Sequence, residues 1–156
     1  MARYELPADG CPVSLHDCVI TGVNVDGNML ELRFDGGVNL IPESELNPRK
    51  LVISTGPAVL RIRSVAPEED RVILQRDLRL FGRTVLSLWK EVTVAQMTQY
   101  IRRRPLEVIT RLQDGAGMLL DGWAKTGRGS FGLYDSRFLW RIFALEAVFC
   151  FDEIHT

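Results

Sequence analysis

Alternating apolar and polar positions dominate the first eighty residues of the chain. In the stretch "SLHDCVITGVNVDGNMLELRF", two alternating runs flank Asp26-Gly27, a dipeptide suited to a two-residue hairpin turn. On that register Val23 faces Leu30, Thr21 faces Leu32 and Val19 faces Phe34. Asn24, Gly22, Cys18, Glu31 and Arg33 take the opposite side, and Ile20 and Met29 fit neither set. A one-residue slip would set Val23 against Glu31 and mix the faces. "DGGVNLI" then gives a turn and a short strand, and "PESELNPRK" reads as a polar loop. The segment "AVLRIRSVAPEEDRVILQRDLRLFG" predicts a second hairpin: Val59, Leu60, Ile62 and Val65 on one arm, Val72, Leu74, Leu78 and Leu80 on the other, and "PEED" as the loop.

After the β-rich "RTVLSLWKEV" the period changes. Thr93 and Gln96 form a capping-box pair, Val94, Met97 and Ile101 recur at helical spacing, and Pro105 ends the run. One amphipathic helix is therefore expected over 93–104. Strands return in "LEVITRL" and "MLLDGWAKT". The apolar run 137–151 is open to strand or buried helix by period alone, and its aromatic and β-branched content favours a central strand. The expected fold is mainly β (α+β), an antiparallel β-sandwich or partly open barrel built from hairpins, with residues 1–156 as a single β-rich domain.

Composition narrows the class. The chain has 156 residues, 46% of them apolar and 25% charged, enough for an ordinary globular core. A net charge of -1 gives no global attraction to nucleic acid or anionic membranes. "MARYELPADG" has no signal-like apolar run, and three cysteines suit a reducing compartment, so the expected location is cytoplasmic.

Leu15-His16-Asp17-Cys18, leading into the "I-x-x-V-x-x-D-G-N-x-L-x-L-x-F" hairpin, resembles a loose group of small uncharacterised bacterial proteins, some similar to immunity proteins that neutralise secreted toxins. The resemblance spans residues 4–41. It implies a bacterial cytoplasmic β-rich protein without a known catalytic role and carries over no site residue; together with the lack of catalytic motifs it leads to the expectation of a non-enzymatic binding or inhibitor module of the immunity-protein type.

The candidate chemistry is sparse. His16 with Asp17 offers a base and its orienting carboxylate, which would make the chain a small hydrolase or ligand-binding enzyme. No nucleophile motif completes the set, and His155 lies far along the chain. Cys11, His16 and Cys18, with Cys150 as a conceivable fourth ligand, give donors for zinc but lack the close cysteine pair typical of structural sites. "GRGSFG" matches G-x-G-x-x-G, with Asp152 beyond it, but lacks the strand-loop-helix setting that phosphate binding needs; a glycine-rich hairpin loop is expected, and no cofactor. Arg102, Arg103 and Arg104, with Arg111, Tyr100 and Trp89 near in sequence, make a small basic group that a helix C-terminus already accounts for. Glu43 and Glu45, Glu68, Glu69 and Asp70, and Asp152 and Glu153 would form an acidic surface for a basic protein partner if their loops met. Apolar positions are plentiful for one β-domain, so a homo-oligomer is a further expectation.

Overall fold

A single strand of 21 residues, Phe131–Phe151, organises the molecule. The computed structural model describes residues 2–10, 12–67, 69–114, 117–124 and 131–155. In chain order the strands are β1 (Tyr4–Pro7), β2 (Val13–Ser14), β3 (Cys18–Ile20), β4 (Gly22–Asp26), β5 (Met29–Phe34), β6 (Asn39–Leu40), β7 (Ile53–Ser54), β8 (Ala58–Ser64), β9 (Arg71–Leu80), β10 (Arg83–Thr93), β11 (Leu106–Asp114), β12 (Gly117–Ala124) and β13 (Phe131–Phe151). Between β10 and β11 lies α1 (Val94–Ile101). The run that sequence period left open is thus strand, as its Phe, Trp, Ile and Val content favours.

The first part of β13 lies between β12 and β9, and its last part between β1 and β8. It therefore belongs to two layers, β3-β11-β12-β13-β9-β10 and β1-β13-β8-β5-β4. It passes from one to the other at a bulge between Ala144 and Glu146, the device by which strands turn sandwich corners. Loop 65–70 locks this crossing: the Val65 N–H donates to the Phe143 carbonyl (3.1 Å), and the Phe143 N–H donates to the Asp70 carboxylate (3.1 Å). Trp140, Phe138, Ile142 and Phe149 from β13 are fully buried with Leu30, Leu32, Phe34, Leu60, Ile62, Val72 and Leu120 between the layers. β2, β6 and β7 form a separate small sheet. The fold is mainly antiparallel β with one short helix among the described residues, as expected.

Several details differ from the sequence expectation. β4 and β5 do form a hairpin, but Val23 pairs with Leu32 and Asp26 with Met29, so the turn is Gly27-Asn28. Gly27 takes the positive φ (+57°), which suits the first central position of a type II′ turn. Within β4 and β5 the shift changes every partner yet keeps the faces, because it moves the pairing by two positions and side chains alternate with period two; before them the expected faces fail, with Cys18 buried and Val19 and Thr21 only partly so. Ile20 is buried because the strand breaks at Thr21: β3 pairs with β11, not with β5, and the alternation restarts in β4.

The second expected hairpin does not form. β8 and β9 do not pair with each other; each pairs with a different part of β13. β8 keeps strict alternation, with Leu60 and Ile62 buried, whereas Val65 lies beyond the strand and is exposed. The local hairpin is instead β9-β10, turned by Phe81 and Gly82, both at positive φ. The helix starts as expected, with the complete Thr93–Gln96 capping box, but ends at Ile101 with Arg102 as its C-cap. Its buried residues Val94, Met97 and Ile101 pack it onto β4, β9 and β10.

Candidate functional site

The His16-Asp17 pair sits at the corner of a tight turn. The Cys18 N–H donates to the Leu15 carbonyl (2.9 Å), and Asp17 takes a left-handed φ of +63°. The turn is clipped to β11, where the Asp17 N–H donates to the Val108 carbonyl (2.9 Å) and His16 Nδ1 lies 3.0 Å from the Ile109 carbonyl. A bulge between Val108 and Thr110 leaves Ile109 out of the ladder, so its carbonyl is open to the imidazole. A carbonyl can only accept, so Nδ1 carries the proton. Nε2 then faces the Asp17 carboxylate at 3.7 Å. This reverses the triad arrangement, in which the carboxylate holds Nδ1–H and leaves Nε2 to a nucleophile. His16 and Asp17 are about 60% exposed or more, and neither lines any of the larger grooves of the molecule. The Asn39 side-chain amide completes the clip by donating to the His16 carbonyl (2.9 Å).

Cys18 lies beneath this turn, its thiol toward the Ser14 and His16 carbonyls at 3.7 and 3.8 Å. Burial pushes its pKa up to about 11, and a backbone hydrogen bond from Asn39 only partly offsets that. It is a thiol at neutral pH, not a ready nucleophile or metal ligand. Cys150 lies elsewhere, in a small hollow with Glu5, Arg61 and Val148, and burial raises its pKa too. Cys11 is outside the described residues, and among those described no group of three or more His, Cys, Asp or Glu is placed to hold a metal. Residues 127–130 of "GRGSFG" are also outside them; the element that begins at Phe131 is strand β13, not the helix a dinucleotide fingerprint needs.

The acidic loops do not all meet. Asp70 is fully buried, where it accepts from Phe143 and Ser64, and burial raises its pKa. Glu69 lies in the connection after Ser64 at one end of β8, whereas the Glu153 carbonyl accepts from Gly56 near the other end. Glu68 is outside the described residues. Arg111 does not join Arg102–Arg104: it donates to the Ala8 carbonyl (2.8 Å) and lies 5.2 Å over the Phe149 ring. Among the described residues no helix is long and apolar enough to cross a membrane.

Two features are not obvious from local sequence. The first is the outer face of the six-stranded layer. Leu112 pairs with Leu119, Asp121 with Leu139, Leu139 with Ile73 and Gln75 with Trp89, so these side chains share one surface across five strands. Leu112 (58%), Trp89 (60%) and Trp123 (50%) are widely exposed on it. Beside Leu112 lies a shallow hollow of about 580 Å³, lined also by Ile73, Leu119, Leu139 and Arg141. Two ion pairs cross the same face: Arg137 grips Asp121 through Nε and Nη2 (2.9 and 2.6 Å) beside Trp123, and Arg71 meets Glu91 at 2.9 Å. The second is a groove of about 640 Å³ under the end of α1, lined by Arg76, Tyr100, Arg102, Arg103, Arg104 and Asp135 among others. A further groove of about 670 Å³ lies at the start of α1, against Asn24, Val25 and Pro67.

Comparison of the chain with protein-family models, with curated proteins and with solved structures gives no match.

Proposed function

We infer that this chain is a non-enzymatic protein-binding module of the inhibitor type, which docks its partner on the outer face of the six-stranded layer. The observation that carries this is the Leu112, Trp123, Leu119, Leu139, Ile73 and Trp89 surface, an open apolar face with fixed arginine-carboxylate pairs. Exposed patches of this kind mark protein contacts, and Trp and Arg are the residues most often found at their energetic centres. Arg141, stacked on Phe143 at 5.3 Å, suits a partner that places a carboxylate at the edge of an apolar patch. The resemblance of residues 4–41 to small bacterial proteins, some of them similar to immunity proteins, supports the same class.

Co-expression with a toxic protein encoded beside it tests the proposal. The chain restores growth and copurifies with the toxin, whereas Leu112→Glu with Trp123→Glu, both at exposed positions, abolishes rescue and complex alike. Failure of the intact chain to relieve toxicity or to copurify overturns it.

Self-association is a second reading, favoured by β10, which pairs only with β9 among the described residues and exposes Leu86, Leu88 and Trp89. The irregularity at Val85 and the charge of Lys90 both work against edge pairing. Light scattering that gives a monomer across a wide concentration range removes this reading.

A further inference from the structure

The groove under the end of α1 collects more positive charge than the fold requires. Arg76 and Arg104 approach the same carboxylate, Asp135, at 3.0 and 3.5 Å. Asp135 is itself buried and, among the described residues, is the one carboxylate lining the groove. Arg102 and Arg103 line the same groove and are exposed, so four guanidiniums stand against one carboxylate. Their convergence is built by the backbone: the Arg103 and Arg104 N–H groups both donate to the Tyr100 carbonyl (3.0 Å each), which wraps three successive arginines around the helix end.

The other polar liners also present donors. The Gln96 carbonyl is taken by the Thr93 N–H in the capping box, which leaves its amide N–H groups, and Gln99 adds another amide. The Tyr100 hydroxyl is buried beside the Asp135 carboxylate and the Arg104 guanidinium, and that guanidinium also lies 6.0 Å over its ring. Leu133 supplies an apolar wall. The carbonyl end of a helix opposes an anion with about half a unit charge at most, less than the net positive charge of the four guanidiniums and Asp135 together.

We propose that this groove binds a small phosphorylated molecule, its phosphate oxygens held by Arg102 and Arg103 and by the Asp135-anchored Arg76 and Arg104. Two of the four guanidiniums are pre-positioned by Asp135, and forked guanidinium donors match the several acceptor oxygens of a phosphate better than the two of a carboxylate. The volume is that of a small-molecule site. The groove is separate from the protein-docking face, which lies on the other surface of the layer.

Isothermal titration with inorganic pyrophosphate tests it. The intact chain gives saturable one-site binding that weakens as salt is raised. Arg102→Gln with Arg103→Gln, at exposed positions, lowers affinity tenfold or more with an unchanged circular dichroism spectrum, and Arg83→Gln, at the remote β9-β10 turn, leaves it unaltered. Absence of binding at millimolar pyrophosphate, or undiminished binding in the double variant, overturns the proposal. Malonate that binds as tightly as pyrophosphate overturns the phosphate assignment, and a single-stranded oligonucleotide that binds more tightly overturns the small-molecule one.

Discussion

β8 and β10 are alike as sequence and opposite in fate. "AVLRIRS" and "RTVLSLWKEVT" both mix aliphatic and charged residues in strand-like order. β8 lies between β13 and β5, and its alternate residues Ala58, Leu60, Ile62 and Ser64 are buried under the second layer. Among the described residues β10 is paired on one edge only, and of its side chains Val92 alone is buried, where α1 begins. Alternation prepares a face for burial; burial itself needs a second layer above that face. β10 runs beyond the layer that covers its neighbours, and its leucines and tryptophan stay in water.

The sharpest way to break this contrast is a matched pair of substitutions. Leu60→Asp sets an unpaired carboxylate in the core and is expected to cost about 4 kcal/mol or to prevent folding. Leu88→Asp in β10 is expected to change stability by less than about 0.5 kcal/mol. Urea denaturation of both variants decides it, and similar losses would mean that β10 is covered. Next in size is Thr93→Ala, at the junction of β10 and α1. Loss of the capping box should cost about 1 kcal/mol, read from the same denaturation curves.

A subtler effect separates two aspartates that flank this region. Burial raises the pKa of Asp70, so its favourable contribution is full below the unfolded pKa and is lost as pH rises through the folded value. For Asp77 burial also acts upward, but hydrogen bonds from Gln75, Ser87 and Ser136 outweigh it and the pKa is lowered. Its contribution is present above the unfolded pKa and is lost as pH falls through the folded one. The stability difference between wild type and Asp77→Asn should therefore shrink on acidification through pH 4, while that for Asp70→Asn grows. Thermal melts from pH 3 to 7 read both. His16→Gln removes one exposed hydrogen bond to Ile109 and should alter stability by about 1 kcal/mol at most, read from the same melts.

What could be read from sequence was what local pattern determines. The Thr93–Gln96 cap, the alternation of β5 and β8, and the strand character of 137–151 all follow from residue type and spacing. The β4-β5 faces were legible even though the turn lay one place further on, since alternation survives a two-position shift in pairing. Sequence order misleads about partners. β8 and β9 look like a hairpin because a turn separates them, yet β13 is the partner of both. The same limit hid the groove: Arg102–Arg104 is visible as a run, but Arg76 and Asp135 join it only through the β9-β13 register. Asp70 shows the converse, an acid that a loop motif marks as solvated and that the crossing of β13 buries.

The double membership of β13 also fixes an order of events. The β4-β5, β9-β10 and β11-β12 hairpins close over short loops and can form as soon as their residues exist. β8 cannot join β13 so early: Ile62 waits for Ala147, 85 positions further along the chain. Until β13 arrives, one edge of β8 and one of β9 lie open, and neither layer has its central strand. Such non-local pairing slows folding toward the millisecond-to-second range and lengthens exposure of unpaired edges. During synthesis neither layer can be completed until residues 131–151 have left the ribosome, although β5-β8 and β3-β11 can pair before then.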